Sequence, residues 1–160
     1  MLDVLERRFK ATAPKVDRCS LRFMQERHEQ VSVRQDVVQP VQKSTDAGVM
    51  VTVIDQGGMG YAATSDLSEA GLRRAFERAT EWARRTAGNM VLDVSKLPPV
   101  TAQGEWSAPV ARAWESAPLP EKVDLLRAES ARLKVDARIV DWAASLSAVD
   151  MESLLLTSDG

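Results

Sequence analysis

The sequence holds a single cysteine, a single histidine and a single tyrosine among 160 residues. One cysteine, Cys19, excludes an intrachain disulfide and cannot build a zinc cage by itself. One histidine, His28, falls short of the ligand set of a catalytic zinc, which takes about three protein ligands and commonly two histidines. Long apolar runs are lacking as well, and none reaches the roughly 18 residues that argue for a membrane span. Charge of one sign is not in excess: 21 basic and 23 acidic residues leave a net charge of -2. No overall field therefore draws nucleic acid or an anionic membrane. The first eight residues are charged on both sides of a short apolar pair and lack a signal-peptide core. A cytoplasmic location is expected, with neither membrane nor nucleic acid as partner.

What is present fits a soluble globular chain. It is 44% hydrophobic and 28% charged, and low-complexity segments are absent. One domain spanning residues 1–160 is expected, burying about 70% of its unfolded surface.

Leu2, Leu5 and Phe9 share a helical face over residues 2–12, and Pro14 stops that helix. The period then becomes two. Cys19, Leu21 and Phe23 alternate with polar residues, as do Val31 and Val33, which is the pattern of a sheet with one wet face. Residues 25–30 form a polar bridge between them, either a hairpin turn or a strand projecting into solvent. Residues 37–43, broken by Pro40, suit an edge strand or bulge. A turn is expected at residues 45–48, leading into a central strand over residues 49–54. Asp55, Gln56, Gly57 and Gly58 have the chemistry of a hairpin turn, and residues 59–64 return from it. The strands read as an antiparallel meander.

The clearest helix runs from about Asp66 to Ala87, with Asp66 as cap and Glu69 completing a capping box. Its buried stripe is Leu72, Ala75, Phe76, Ala79 and Ala83; Arg73–Glu77 and Glu81–Arg85 are candidate ion pairs, and Gly88 is a fitting stop. Residues 89–118 form a long loop interrupted by Pro98, Pro99, Pro109 and Pro118. A second main helix spans about Pro120 to Lys134, with Val123, Leu126 and Leu133 as its apolar stripe. Residues 138–147 and 152–157 read as two strands joined near residues 148–151. Ser158, Asp159 and Gly160 open a turn, so a further strand is expected beyond them and the chain reads as truncated. The fold class expected is α+β: a curved antiparallel sheet with two main helices on one face and a short amino-terminal helix.

Candidate chemistry is sparse. His28 with Glu26 and Glu29 would make a weak metal cluster, and a solvated segment is the stronger reading. Gly57, Gly58, Met59 and Gly60 lack the lysine and hydroxyl residue of a phosphate loop. The arginines of residues 73–85, near Trp82, are interspersed with Glu77 and Glu81 and carry no recognition motif. Ser65 and Ser68 have no base at hand and fit helix capping. Trp106 and Trp114 are the candidate interface residues: two indoles in a long loop either pin it to the surface or contact another domain or subunit.

Three segments together resemble the TldD/PmbA family, also described as modulators of DNA gyrase. They are the paired strands of residues 17–35, the strand, Gly-Gly hairpin, strand and alanine-rich helix of residues 48–83, and residues 121–160. The last, with Arg138, Ile139 and Val140 followed by Ala144, Ser145 and Leu146, is more similar to the metal-bearing branch. The resemblance implies the amino-terminal domain of a zinc metallopeptidase that cleaves unstructured peptides, some members pairing a metal-bearing with a metal-free subunit. The family's His-Glu-x-x-x-His helix lies in the carboxy-terminal half, and this sequence has no match to it. No catalytic, cofactor or metal residue carries over, and the chain is expected to be inactive alone. Its implied partners are the missing metal-binding domain, a TldD/PmbA-type subunit in a homo- or heterodimer, and peptide substrate. A stand-alone interaction module, or a DNA-associated regulator without peptidase activity, is the competing expectation.

Overall fold

A computed structural model describes residues 2–96, 98 and 103–159. Three α-helices and five strands follow the order α1 (Leu2–Thr12), β1 (Arg18–Arg34), β2 (Val37–Val38), β3 (Gln42–Asp55), β4 (Gly58–Thr64), α2 (Glu69–Thr86), α3 (Leu119–Leu133) and β5 (Ala143–Thr157). The sheet order is β2-β1-β3-β4, and β5 also pairs with β1. The fold is therefore α+β, with an open antiparallel sheet and a short first helix. Contacts group the chain into two compact units, one of residues 1–25, 47–105 and 152–160, the other of residues 26–46 and 106–151.

In the first unit, strand alternation sends Cys19, Leu21 and Phe23 of β1 and Val49, Val51 and Val53 of β3 into one core. Leu5 and Phe9 of α1 and the predicted stripe of α2 close over them. Phe9 and Phe76 meet with ring centroids 6.0 Å apart. Burying a side chain of this size contributes about 1.5–3 kcal/mol, so these few positions carry most of the unit's stability. Strand β4 supplies almost no side chains to that core, because α2 lies on its backbone. A Cβ on Gly58 or Gly60 would overlap main-chain atoms of Ala83 and Ala79 respectively, so only glycine permits the approach.

The β3–β4 turn has positive φ at both Gln56 (53°) and Gly57 (76°), as a two-residue hairpin of matching twist requires. Helix α2 is capped by Ser68, whose Oγ accepts from the Gly71 N–H at 3.1 Å. That corrects the expected cap at Asp66, which instead accepts from the Ser68 N–H and pairs with Arg74. Likewise Arg73 pairs back to Glu69 and not forward to Glu77, while Glu81–Arg85 forms as expected. Gly88, at φ 78°, ends the helix.

In the second unit, Val31 and Val33 of β1 pack with Leu126 of α3, joined by Val38, Val41, Trp114, Val123, Ala144 and Leu146. Leu133 is 46% exposed, against the expected stripe. The buried positions of α3 are Lys122, Leu126 and Ser130, each four residues from the next. The expected turn at residues 45–48 and the join at residues 148–151 are both strand: β3 and β5 run through them unbroken. So does β1 through residues 25–30. Residues 138–142, expected as strand, precede β5, and Asp141 there forms a two-pronged pair with Arg34 (2.9 and 2.6 Å).

Candidate functional site

The second unit brings three charged groups and an indole together. Glu29, on β1, accepts from Lys43 of β3 at 2.8 Å and lies 3.8 Å from Lys122 of α3. The Lys122 ammonium sits 3.6 Å from the centre of the Trp114 ring. Lys122 is 7% exposed, so its ammonium is nearly out of water, and the ring face and the shared carboxylate replace its hydration. The Lys43 hydrogen bond, against a desolvation cost, holds the Glu29 carboxyl below the usual carboxylate range; the Trp114 N–H and the charges of Lys43 and Lys122 act the same way. The indole N–H approaches that carboxylate without closing a hydrogen bond of good geometry.

Beside this cluster opens a cavity of about 780 Å³, within the ordinary range for small-ligand sites. Its apolar wall is Trp114, Leu125 and Leu146, and its polar rim includes Lys122 and the ion pair of Arg112 with Glu121 (2.8 Å). The α3 amino terminus beside it has no side-chain cap, since Pro118 occupies that position.

The two expected interface tryptophans part company here. Trp114 is half-buried in the cluster, whereas Trp106 is 85% exposed within a segment, residues 103–113, that is exposed throughout. Among the described residues of the loop, Trp114 is the indole that packs against the fold. Lys122 and Lys43 were not singled out in the sequence; the available signal was that Lys122 stands four residues before Leu126, on the face that must be buried.

The other sequence candidates are not assembled. Strand alternation puts Glu29 on the opposite face of β1 from Glu26 and His28, and the Glu29 carboxylate already serves two lysines. Among the described residues no group of three or more His, Cys, Asp and Glu could hold a metal ion. The donor set of these residues does not fit a catalytic zinc. Gly57 through Gly60 form a turn and a packing surface. Arg73, Arg74, Arg84 and Arg85 on α2 each pair with a carboxylate, so their charge is largely spent within the fold. Burial pushes the Cys19 thiol up from its ordinary value, leaving it protonated and unreactive.

Two further surfaces stand open. Strands β4 and β5, with the two-residue β2, border the sheet, each bonded to one neighbouring strand among the described residues. On the β3–β4 face away from α2, Met50 pairs with Ala63, Thr52 with Tyr61 and Ile54 with Met59, and Tyr61 is 65% exposed. No described helix is long and apolar enough to cross a membrane.

Residues 19–83 match the family described as PmbA/TldA metallopeptidase domain 1. No curated protein sequence matches the chain. Among solved structures, a protein from Thermotoga maritima described as a modulator of a DNA gyrase superposes with a TM-score of 0.74 at 15% identity. It covers 100% of this chain, which spans 36% of its length. A second so described, from Bacteroides thetaiotaomicron, gives 0.68 at 14% identity over 99% of this chain and 36% of its own. TldE from Thermococcus kodakarensis gives 0.64 at 14% identity over 100% and 35%. The chain thus spans about a third of the length of the structures it resembles. Residues 19–83 thus match the first domain of the PmbA/TldD family, and the fold of the whole chain is similar to that of these solved structures.

Proposed function

We propose that this chain is the non-catalytic amino-terminal domain of a PmbA/TldD-type zinc metallopeptidase acting on unstructured peptides, forming part of the substrate chamber and of the subunit interface. The observation that carries this reading is an open sheet whose bordering strands β4 and β5 are each bonded to one neighbour among the described residues, in a chain whose residues 19–83 match the first domain of that family. An unpaired strand edge takes up extended peptide through main-chain hydrogen bonds, which give affinity with broad sequence tolerance. On this reading the metal-activated water that attacks the amide is supplied by a separate metal-binding domain and not by these residues. The exposed Trp106 segment suits contact with that part or with a second subunit, because exposed tryptophan is a frequent interface anchor. A DNA-associated role, suggested by the gyrase wording attached to two similar structures, finds little support in arginines already paired with acids. The test is titration of the labelled chain with an unstructured peptide, followed by amide chemical shifts. Shifts along β4 or β5 are expected, and an unmoved spectrum would overturn the peptide-capture role.

A further inference from the structure

We propose that the cavity beside Trp114 is a subsite for a free carboxylate carried on an apolar side chain, the chemistry of a peptide's carboxyl-terminal residue. The inference rests on the peptide-acting reading above and deepens it. The argument starts from charge. Glu29 is one carboxylate between two ammoniums, Lys43 at 2.8 Å and Lys122 at 3.8 Å, so the cluster retains one positive charge that its own acid does not neutralise. Of the two lysines, Lys122 has the longer separation, is the buried one, and lines the cavity. At the rim, Arg112 and Glu121 balance each other at 2.8 Å. The remaining acid, Asp124, is exposed, and water screens its charge. The uncapped start of α3, a 15-residue helix, adds positive potential from its amide dipoles. A buried cation that is only partly compensated makes a carboxylate a better occupant than water.

The apolar half of the ligand follows from the walls. Leu125 and Leu146, with the indole of Trp114, face the same space, and Leu125 is 51% exposed. An aliphatic or aromatic side chain covers that surface while its carboxylate meets Lys122. The geometry gives no comparable provision for a free ammonium, since Glu29 and Glu121 are each already engaged by bases and Asp124 is exposed to screening water.

The test uses the 160-residue chain and two probes that differ in one group, N-acetyl-leucine and N-acetyl-leucinamide. Methyl shifts of Leu125 and Leu146 and the Lys122 amide report occupancy. The acid is expected to bind at least about tenfold more tightly than the amide, a factor appropriate to one charge-assisted contact. Lys122→Met, which keeps the stem and removes the charge, should erase that preference. Leu125→Trp, at an exposed wall position, should block both probes without disturbing the fold, and so serves if the lysine variant fails to fold. Equal affinity for acid and amide, or no response to either, overturns the subsite. Failure here with peptide-induced shifts along β4 or β5 would leave the peptide-acting reading standing. Acid binding without peptide capture would do the reverse.

Discussion

Lys122 of α3 and Trp114 meet face-on, ammonium to ring, at 3.6 Å within the second unit. A lysine so nearly out of water is stable only while its surroundings compensate the charge. The indole and the shared Glu29 carboxylate each supply part of that compensation. Trp114→Ala removes packing and the ring face together. A half-buried tryptophan should cost about 2–3 kcal/mol, below the figure for full burial, with cation–π contact making up about 0.5–2 kcal/mol of it. Trp114→Phe keeps a ring and should lose about half as much. Urea unfolding of the two variants measures both values. Equal losses would mean that the ring face contributes little.

Gly60 and the α2 backbone make the second test. A Cβ at this position would lie 2.5 Å from Ala83 N and 2.8 Å from Trp82 Cβ, and would overlap Ala79 O. Those are mostly main-chain atoms and cannot step aside alone. Gly60→Ala should therefore destabilise by about 3 kcal/mol, at the upper end for overpacking, as read by thermal or urea unfolding. Gly57→Ala, where nothing lies within 4 Å but φ is 76°, carries only the strain of left-handed backbone and should cost about 1 kcal/mol.

Acid should weaken the fold through Glu29. Its carboxyl titrates below the ordinary value in the folded chain because Lys43 hydrogen-bonds it. A depressed folded value means that the stabilisation is fully present above the unfolded pKa, about 4.3, and is lost as pH falls through the folded value. Asp66, Asp136 and Asp141 are shifted the same way by Ser68, Arg138 and Arg34. Urea midpoints should be flat down to about pH 5 and then fall. Glu29→Gln should be less stable at neutral pH and show a shallower acid decline. An unchanged decline would assign the acid sensitivity to the aspartates.

How much was legible follows the physics of patterning. The helices and the strands around Cys19 to Phe23 and Val49 to Val53 were readable, because one face of each is apolar at a fixed period. Residues 25–30 left a turn and a strand both open, and residues 148–151 read as a join. Their side chains are polar, yet both segments are strand, with Arg27 and Asp150 4.0 Å apart on β1 and β5. Backbone hydrogen bonding there needs no apolar alternation, and two polar stretches that pair with each other look like two turns. The hairpin at Gln35 and Asp36 was missed for another reason. Both adopt positive φ (49° and 64°) without glycine or asparagine to announce it. The Trp114 cluster was half legible: the tryptophan drew notice, but a buried lysine on a helix face reads as solvated until its position against Leu126 is seen.

Trp106 separates interface from fold. At 85% exposure it contributes little to the isolated chain, so Trp106→Ala should change stability by less than about 0.5 kcal/mol. In a full-length protein of this family the same change should weaken subunit or domain association by about 2 kcal/mol, the scale of an interface anchor. Light scattering against concentration reads the association, and an unchanged oligomer would remove Trp106 from the interface.

The proposed role is that of a domain that handles peptide without cutting it. The direct measurement is incubation of the purified 160-residue chain with a quenched fluorescent unstructured peptide, with and without added zinc. The account predicts no release of fluorescence in either case. Zinc-dependent cleavage that survives repurification and disappears in His28→Ala would contradict it.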